Sequence, residues 1–435
     1  MLKRITGTTL VLLIALAYWL TKDEVLSPEA QTLLASVDPS TKSSEAYTYL
    51  LGINAAQDED PAQVGQQLLT AIRQSEAQYK LGKQLFSFTP YPKNKELPLP
   101  EGELFCEKED TALCLKNVFK AEASQIAEAL TQNHILLERY QTFLTKTDYV
   151  TLMPNNLQAP IGLNLSYLRR GNQLILLKSI LLAKQNNNQA ALDLLEKHQL
   201  SLRQSLAHAD ILLYKMIVNS SINKTIDVAS ILLQQSEKLY FTIKPLTAEE
   251  LSLKSGMEWE FCSQASRLLN MENDLVLDAK EAGQFQAIKE PIFHQLRKFF
   301  YKPNATVNRM RPFYLTFQQI MSTAPNTLFE RYKLESAAST QENYSIRNPI
   351  GSVLNLIPRP NYYDYAERLF NTNAKIQLFN QLYGERLTLA KIMQQPANYY
   401  NQTDHWKLRA DTKTICLNSP IIQAPDFNCL LINIH

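Results

Sequence analysis

Residues 168–217 read LRRGNQLILLKSILLAKQNNNQAALDLLEKHQLSLRQSLAHADILLYKMI, and their spacing decides the fold class. Leu174, Leu177 and Leu181 recur at helical intervals until Asn186-Asn187-Asn188 interrupts them. Past that turn Leu192, Leu195, Leu202, Leu206, Leu213 and Ile217 continue close to a seven-residue repeat. Apolar residues at such spacings line one face of a helix, so the stretch predicts amphipathic helices joined by a polar turn. A helix–turn–helix of this kind invites comparison with tetratricopeptide repeats. No second and third copy follows at their period, and the small residues of that consensus are absent. The fold class is mainly α, an antiparallel bundle or irregular helical array.

The same period extends outward. Upstream, Ile126, Leu130, Leu137, Tyr140 and Leu144 form a stripe, and four prolines from Pro90 to Pro100 mark an extended linker. Asp60-Pro61 opens a helix with inner residues Val64, Leu68, Ile72, Ser75 and Tyr79. Downstream, Thr247-Ala248-Glu249-Glu250 is a capping box ahead of Leu253, Met257, Phe261 and Leu268. A last long helix is predicted over Asn361–Tyr383. After Pro396 the pattern changes. His405–Arg409 and Thr414–Leu417 alternate around a turn, and Asn428–Ile434 is a third apolar run, which predicts a small C-terminal β-meander.

Glycine supports helices. The chain has 11 in 435 residues, against an average of roughly 7%. Rossmann folds, propellers and phosphate loops all spend glycine on tight turns. The net charge of +2 points to no polyanionic partner.

Lys3 and Arg4 precede Ile5–Leu20, which carries no charge, and Lys22, Asp23 and Glu24 close the run. Residues 1–22 read as a membrane anchor with the N-terminus cytoplasmic and the body extracytoplasmic, periplasmic in a Gram-negative cell. The alternative is a signal peptide cleaved after Ala15-Leu16-Ala17. Cleavage would expose Tyr18-Trp19-Leu20 as a free apolar end, which favours the anchor. Residues 23–60 read as a polar stalk, 61–395 as the helical body with a sub-boundary near 245, and 396–435 as the β-rich tail. Five cysteines fit an oxidising compartment, with Cys106–Cys114 and Cys416–Cys429 as local disulfides and Cys262 a buried thiol. Buried free thiols are the alternative.

Searches for chemistry are mostly negative. No nucleophile elbow, phosphate loop or zinc-ligand pair occurs, so no metal or cofactor is expected. His134, His198, His208, His294, His405 and His435 are scattered, and each reads as a surface or satisfied histidine. Asp210, between Leu206 and Leu213 on an apolar stripe, is a candidate acid or base, or the partner of Arg169, Arg170 or Lys178. Glu260, between Trp259 and Phe261, poses the same choice. Lys289–Tyr314 is basic and aromatic, with Arg297, Lys298, Lys302, Arg309 and Arg311 as candidates for an anionic or protein partner. Its plainer reading is an amphipathic helix with aromatics inside. Nucleic acid is not expected outside the cytoplasm. The functional expectation is a membrane-tethered module binding an envelope protein or glycan without catalysis. The alternative is an envelope glycan hydrolase using Asp210 and Glu260.

Overall fold

In the computed structural model Asp60 and Pro61 open their helix as their chemistry dictates. The Asp60 carboxylate accepts from the Ala62 amide at 2.9 Å, and proline fills the first turn, where no amide is needed. The structure describes residues 15, 18–37, 39, 42–106, 111–154, 163–234, 239–281, 297–320, 325–337, 344–357, 361–394, 396–397, 399–400, 405–418 and 425–432. The first helices are α1 (Pro28–Ser36), α2 (Glu45–Leu51), α3 (Pro61–Lys80), α4 (Thr111–Lys120), α5 (Ala123–Gln132) and α6 (His134–Leu144). The middle of the chain forms α7 (Leu165–Lys184), α8 (Asn188–His208), α9 (Leu212–Gln234), α10 (Ala248–Leu251) and α11 (Lys254–Glu281). Then come α12 (Pro303–Ile320), α13 (Pro325–Ala337), α14 (Pro349–Leu356), α15 (Tyr362–Phe379) and α16 (Leu389–Gln394). Strands β1 (Trp406–Arg409), β2 (Thr414–Leu417) and β3 (Cys429–Leu431), with the single turn α17 (Pro425–Asn428) ahead of β3, complete the tail.

Helices α7, α8 and α9 pack on one another at the centre. Leu174, Leu177, Leu192, Leu195, Leu202 and Leu206 are buried as their spacing predicts. Asn186 takes the left-handed conformation, φ 62°, that ends α7.

Two predicted stripes are each divided between two helices. The one from Leu192 to Ile217 turns a corner at Ala209–Ile211, which leaves Leu213 51% exposed. The one from Ile126 to Leu144 breaks at Asn133. The helices flanking each corner face one core, so apolar spacing runs on across the break. The Thr247 capping box closes in both directions, but it opens only the single turn α10 before Ser252 and Leu253 lead into α11.

The reading of residues 23–60 as a stalk is corrected by α1 and α2. Tyr47, Leu50 and Leu51 of α2 are fully buried, and the Asp148 carboxylate accepts from the amides of Glu45 and Ala46. Polar composition concealed the segment, because its large buried side chains cluster in one helix of seven residues. Helices α2 and α3 meet backbone to backbone at glycine. A Cβ on Gly65 would lie 1.8 Å from the Thr48 carbonyl oxygen. Arg139 of α6 then fastens the turn after α2 by donating to the carbonyls of Ile53, Ala55, Ala56 and Glu59.

The anchor reading of residues 1–22 falls mostly outside the described residues, which include 15 and 18–22 of the segment. Among those described, no helix is long and apolar enough to cross a membrane.

The tail forms an antiparallel sheet in the order β1-β2-β3, with Trp406 opposite Leu417 and Cys416 opposite Cys429. Both local disulfides are formed, at Cα separations of 5.5 Å for Cys106–Cys114 and 4.0 Å for Cys416–Cys429. Cys262 is a buried thiol donating to the Leu33 carbonyl, its pKa pushed up to about 12 by burial. The sheet is pinned to the helices where Asp227 of α9 accepts the Leu431 amide at 3.0 Å and Lys375 of α15 at 2.8 Å. Replacing Cys416 and Cys429 with alanine is expected to lower stability by about 3 kcal/mol, the entropy of closing so short a loop. An unchanged urea midpoint would show that the helices alone hold the tail.

Candidate binding groove at His198

His198 lies on the inner stripe of α8, three residues after Leu195 and four before Leu202. Its ring is buried, and the residue is 3% exposed. The side-chain oxygen of Asn172 on α7 sits 2.8 Å from Nε2. An amide oxygen only accepts, so Nε2 carries the proton and Nδ1 is left as an acceptor. No described group donates to Nδ1. Tyr140 of α6 closes the ring's flank edge-on, centroids 5.7 Å apart. It reaches there because α7 has glycine at 171, where a Cβ would lie 2.3 Å from Tyr140 Cγ.

A groove of about 610 Å³ opens beside this ring. Thr142 and Thr145 from the end of α6 form one wall, Lys197, Ser201 and Gln204 of α8 the other, and Ile175 and Leu194 give it apolar surface. The lining therefore offers hydroxyls, amides, one ammonium and one neutral imidazole, and no carboxylate. Such a set exchanges hydrogen bonds with uncharged polar groups. A second groove, of about 670 Å³, lies between the end of α3 and α11. Three of its polar side chains are already paired: Glu76 holds Lys80 at 2.7 Å, and the Tyr79 hydroxyl donates to Asp274 beside it at 2.6 Å.

Burial depresses the His198 pKa from 6.5 to about 3. Between those values the unfolded chain binds a proton that the folded chain refuses. Stability is thus fully present above pH 6.5 and is lost as pH falls towards 3, by at most about 1.4 kcal/mol per pH unit. Burial raises the Asp210 and Glu260 carboxyls, which act in the opposite sense: they favour the folded chain at low pH, and that contribution fades as pH rises. Urea midpoints for the natural chain and for His198→Gln, titrated from pH 7 to 4, share the carboxyl contribution. The difference curve is expected to slope, and a flat one would contradict the buried neutral ring.

The sequence candidates fall elsewhere. Asp210 stands at the α8–α9 corner rather than on a helical stripe, and both its oxygens are held by Thr151, through the amide at 2.9 Å and the hydroxyl at 2.6 Å. No cation of α7 takes part. Its charged form is opposed by burial and surrounded by Tyr47, Tyr149 and Tyr214. Glu260 faces a different set, Arg267, Tyr362 and Tyr365. Neither carboxylate lines the two grooves described above. In the basic stretch two of the aromatics turn inward, Tyr301 and Tyr314, with Tyr314 edge-on to Phe261, while Phe300 is exposed. Lys302 is also buried and donates to the Lys298 carbonyl, and Arg311 pairs with Glu29 at 3.2 Å. Arg309 stays exposed and Arg297 half-buried. Lys289 lies outside the described residues. The stretch is thus an amphipathic helix start rather than one cationic face. No group of three or more metal-ligating side chains occurs among the described residues.

His198 was the site residue that sequence reading passed over. Its signal was present in the Leu195-His198-Leu202 spacing, which places the ring inward. Its missing partner on Nδ1 depends on α6 and α7 and is not encoded in α8. Compared with known proteins, no family model matches this chain, and no curated protein or solved structure does either.

Proposed function

We propose that this chain is a membrane-tethered extracytoplasmic binding module, and that the His198 groove takes an extended segment of an envelope protein. The observation that carries the reading is the buried, neutral His198 with an unpartnered acceptor beside an open groove. A buried polar atom left unpaired costs about 1–3 kcal/mol, which a donor from a bound chain recovers once the ring turns to bring Nδ1, closed off in the unbound chain, to the groove. Peptide amides supply such donors, and Gln204, Ser201 and Thr142 can meet the carbonyls. A glycan is the weaker occupant, since the groove has no Tyr, Trp or Phe on which a sugar face could stack. The two disulfides support an oxidising compartment. The apolar run Ile5–Leu20 supports the tether, with the N-terminus cytoplasmic.

A photo-crosslinking residue in place of Ser201, in the full chain in its native membrane, tests the reading. A cross-linked envelope polypeptide, lost when His198→Phe removes the acceptor, is the expected result. Cross-linking only to carbohydrate, or to nothing, counts against it.

A further inference from the structure

Helix α14 is built inside out. Its buried side chains are small or polar: Gly351, Ser352 and Asn355 face α12 and its neighbours. The Ser352 hydroxyl donates to the Asn348 carbonyl, and the Asn355 amide donates to the carbonyl of Thr306 on α12. Gly351 is needed because a Cβ there would lie 2.1 Å from the Thr306 hydroxyl. The apolar side chains face away. Val353, Leu356 and Ile357 are more than half exposed, and Ile346, just before the helix, is 84% exposed. A helix in water reverses this arrangement, because apolar surface gains by burial and polar groups lose nothing by hydration.

The surroundings say what the face meets. Arg347, one residue before the α14 cap Asn348, sits 4.4 Å over the Trp19 ring and donates to the carbonyls of Trp19 and Lys22. Asp23 then caps the start of α12 through the amides of Asn304 and Ala305. The end of the uncharged Ile5–Leu20 run is thereby fixed next to α14. Trp19 is half exposed, and Phe300, two residues before the Lys302 amide that donates to Asn348, is 52% exposed.

We propose that the apolar face of α14, with Trp19 and Phe300 beside it, lies in the interfacial layer of the lipid bilayer. The proposal rests on the tethered reading above: the apolar run enters the bilayer where the body leaves it, and α14 sits at that point. Tryptophan and phenylalanine suit the interface, and Arg347 and Lys22 meet anionic headgroups there. The body is then held in one orientation on the membrane instead of turning freely on its tether.

The test uses the full chain reconstituted in vesicles of phosphatidylcholine and phosphatidylglycerol. Val353→Cys and, as a control on α5, Glu128→Cys each carry the environment-sensitive dye NBD. Both positions are exposed, so the substitutions leave the core intact, and the buried Cys262 thiol does not compete for the label. The expected result is blue-shifted emission at position 353, quenched several-fold more strongly by shallow doxyl-labelled lipids than the dye at 128. If the protein floats with the vesicles but the two dyes are equally wet, α14 is not in the interface, while the tether stands. A dye at 353 that is shielded yet insensitive to doxyl lipids means a second copy or another protein covers the face, which also overturns the proposal. If the protein does not float with vesicles at all, the tether and the proposal fail together.

Discussion

Replacing Arg203 with alanine is expected to cost about 3–5 kcal/mol of folding stability, the cost of leaving a buried partner charge unpaired. Arg203 lies on α8 between Leu202 and Leu206, where the stripe calls for an apolar residue. Its guanidinium instead makes a two-point contact with Glu250, Nε to Oε1 and Nη2 to Oε2, each at 2.6 Å. The remaining donors reach the carbonyls of Lys244 and Pro245 at 2.6 and 2.7 Å. Glu250 is also the residue that closes the capping box on the Thr247 amide. Alanine therefore strands a buried carboxylate and two carbonyls at once. Arg203→Lys keeps the charge but not the planar fork, so an intermediate loss is expected. A chain with Arg203→Leu and Glu250→Leu should recover part of the loss, because no charge is then left buried. Urea denaturation of the three variants decides the matter, and a cost below about 1 kcal/mol for alanine, typical of exposed pairs, would mean that water reaches the pair.

Lys375→Met is expected to have an effect of similar size, about 3–5 kcal/mol, for the same reason. Lys375 is fully buried on α15, and Asp227 is its partner on α9. Asp227 also receives the Leu431 amide, so one carboxylate joins two helices and the last strand. The variant should show a second symptom that Arg203→Ala does not. With its charge unpaired, the buried carboxylate takes up a proton or turns towards water, which weakens its hold on the Leu431 amide, and limited proteolysis should cut between residues 396 and 432 before the helical core is attacked. Simultaneous Asp227→Leu restores charge balance but not the Leu431 contact. It should therefore rescue global stability more than protease resistance. Equal rescue of both would show that Asp227 does not hold the tail.

Local chemistry was legible in the sequence. The Asp60-Pro61 start, the Thr247–Glu250 box and the Asn186 turn each involve residues within four positions of one another. The two disulfides close short loops, and the tail alternates as strands do. What escaped depends on distant partners. The corner at Ala209–Ile211 is invisible to periodicity because both helices address the same interior. Helix α2 is shorter than the window in which a 3.6-residue period can be seen. Asp210 looked like a helical carboxylate in want of a cation, yet its partner is Thr151, 59 residues upstream and in no predicted element. The groove at His198 needs Gly171 to admit Tyr140 and Asn172 to choose the tautomer, and no spacing within α8 records either.

The junction of Asp23, Glu24 and Val25 with Asn304, Ala305 and Asn308 spans more than 280 residues of sequence. Ribosomes make the chain from its N-terminus, so this clasp waits for residues made much later and is among the last to fasten. Helices α2 with α3, and α7 with α8 and α9, need only near neighbours and can close early, since short loops cost little entropy. Until Asn308 has been synthesised, Asp23, Glu24 and Val25 lack these partners. Throughout that interval these three residues stay unfastened, and completion of α12 clasps them. The structure thereby sets an order of assembly, with residues near the start of the described chain locked in place by residues made much later.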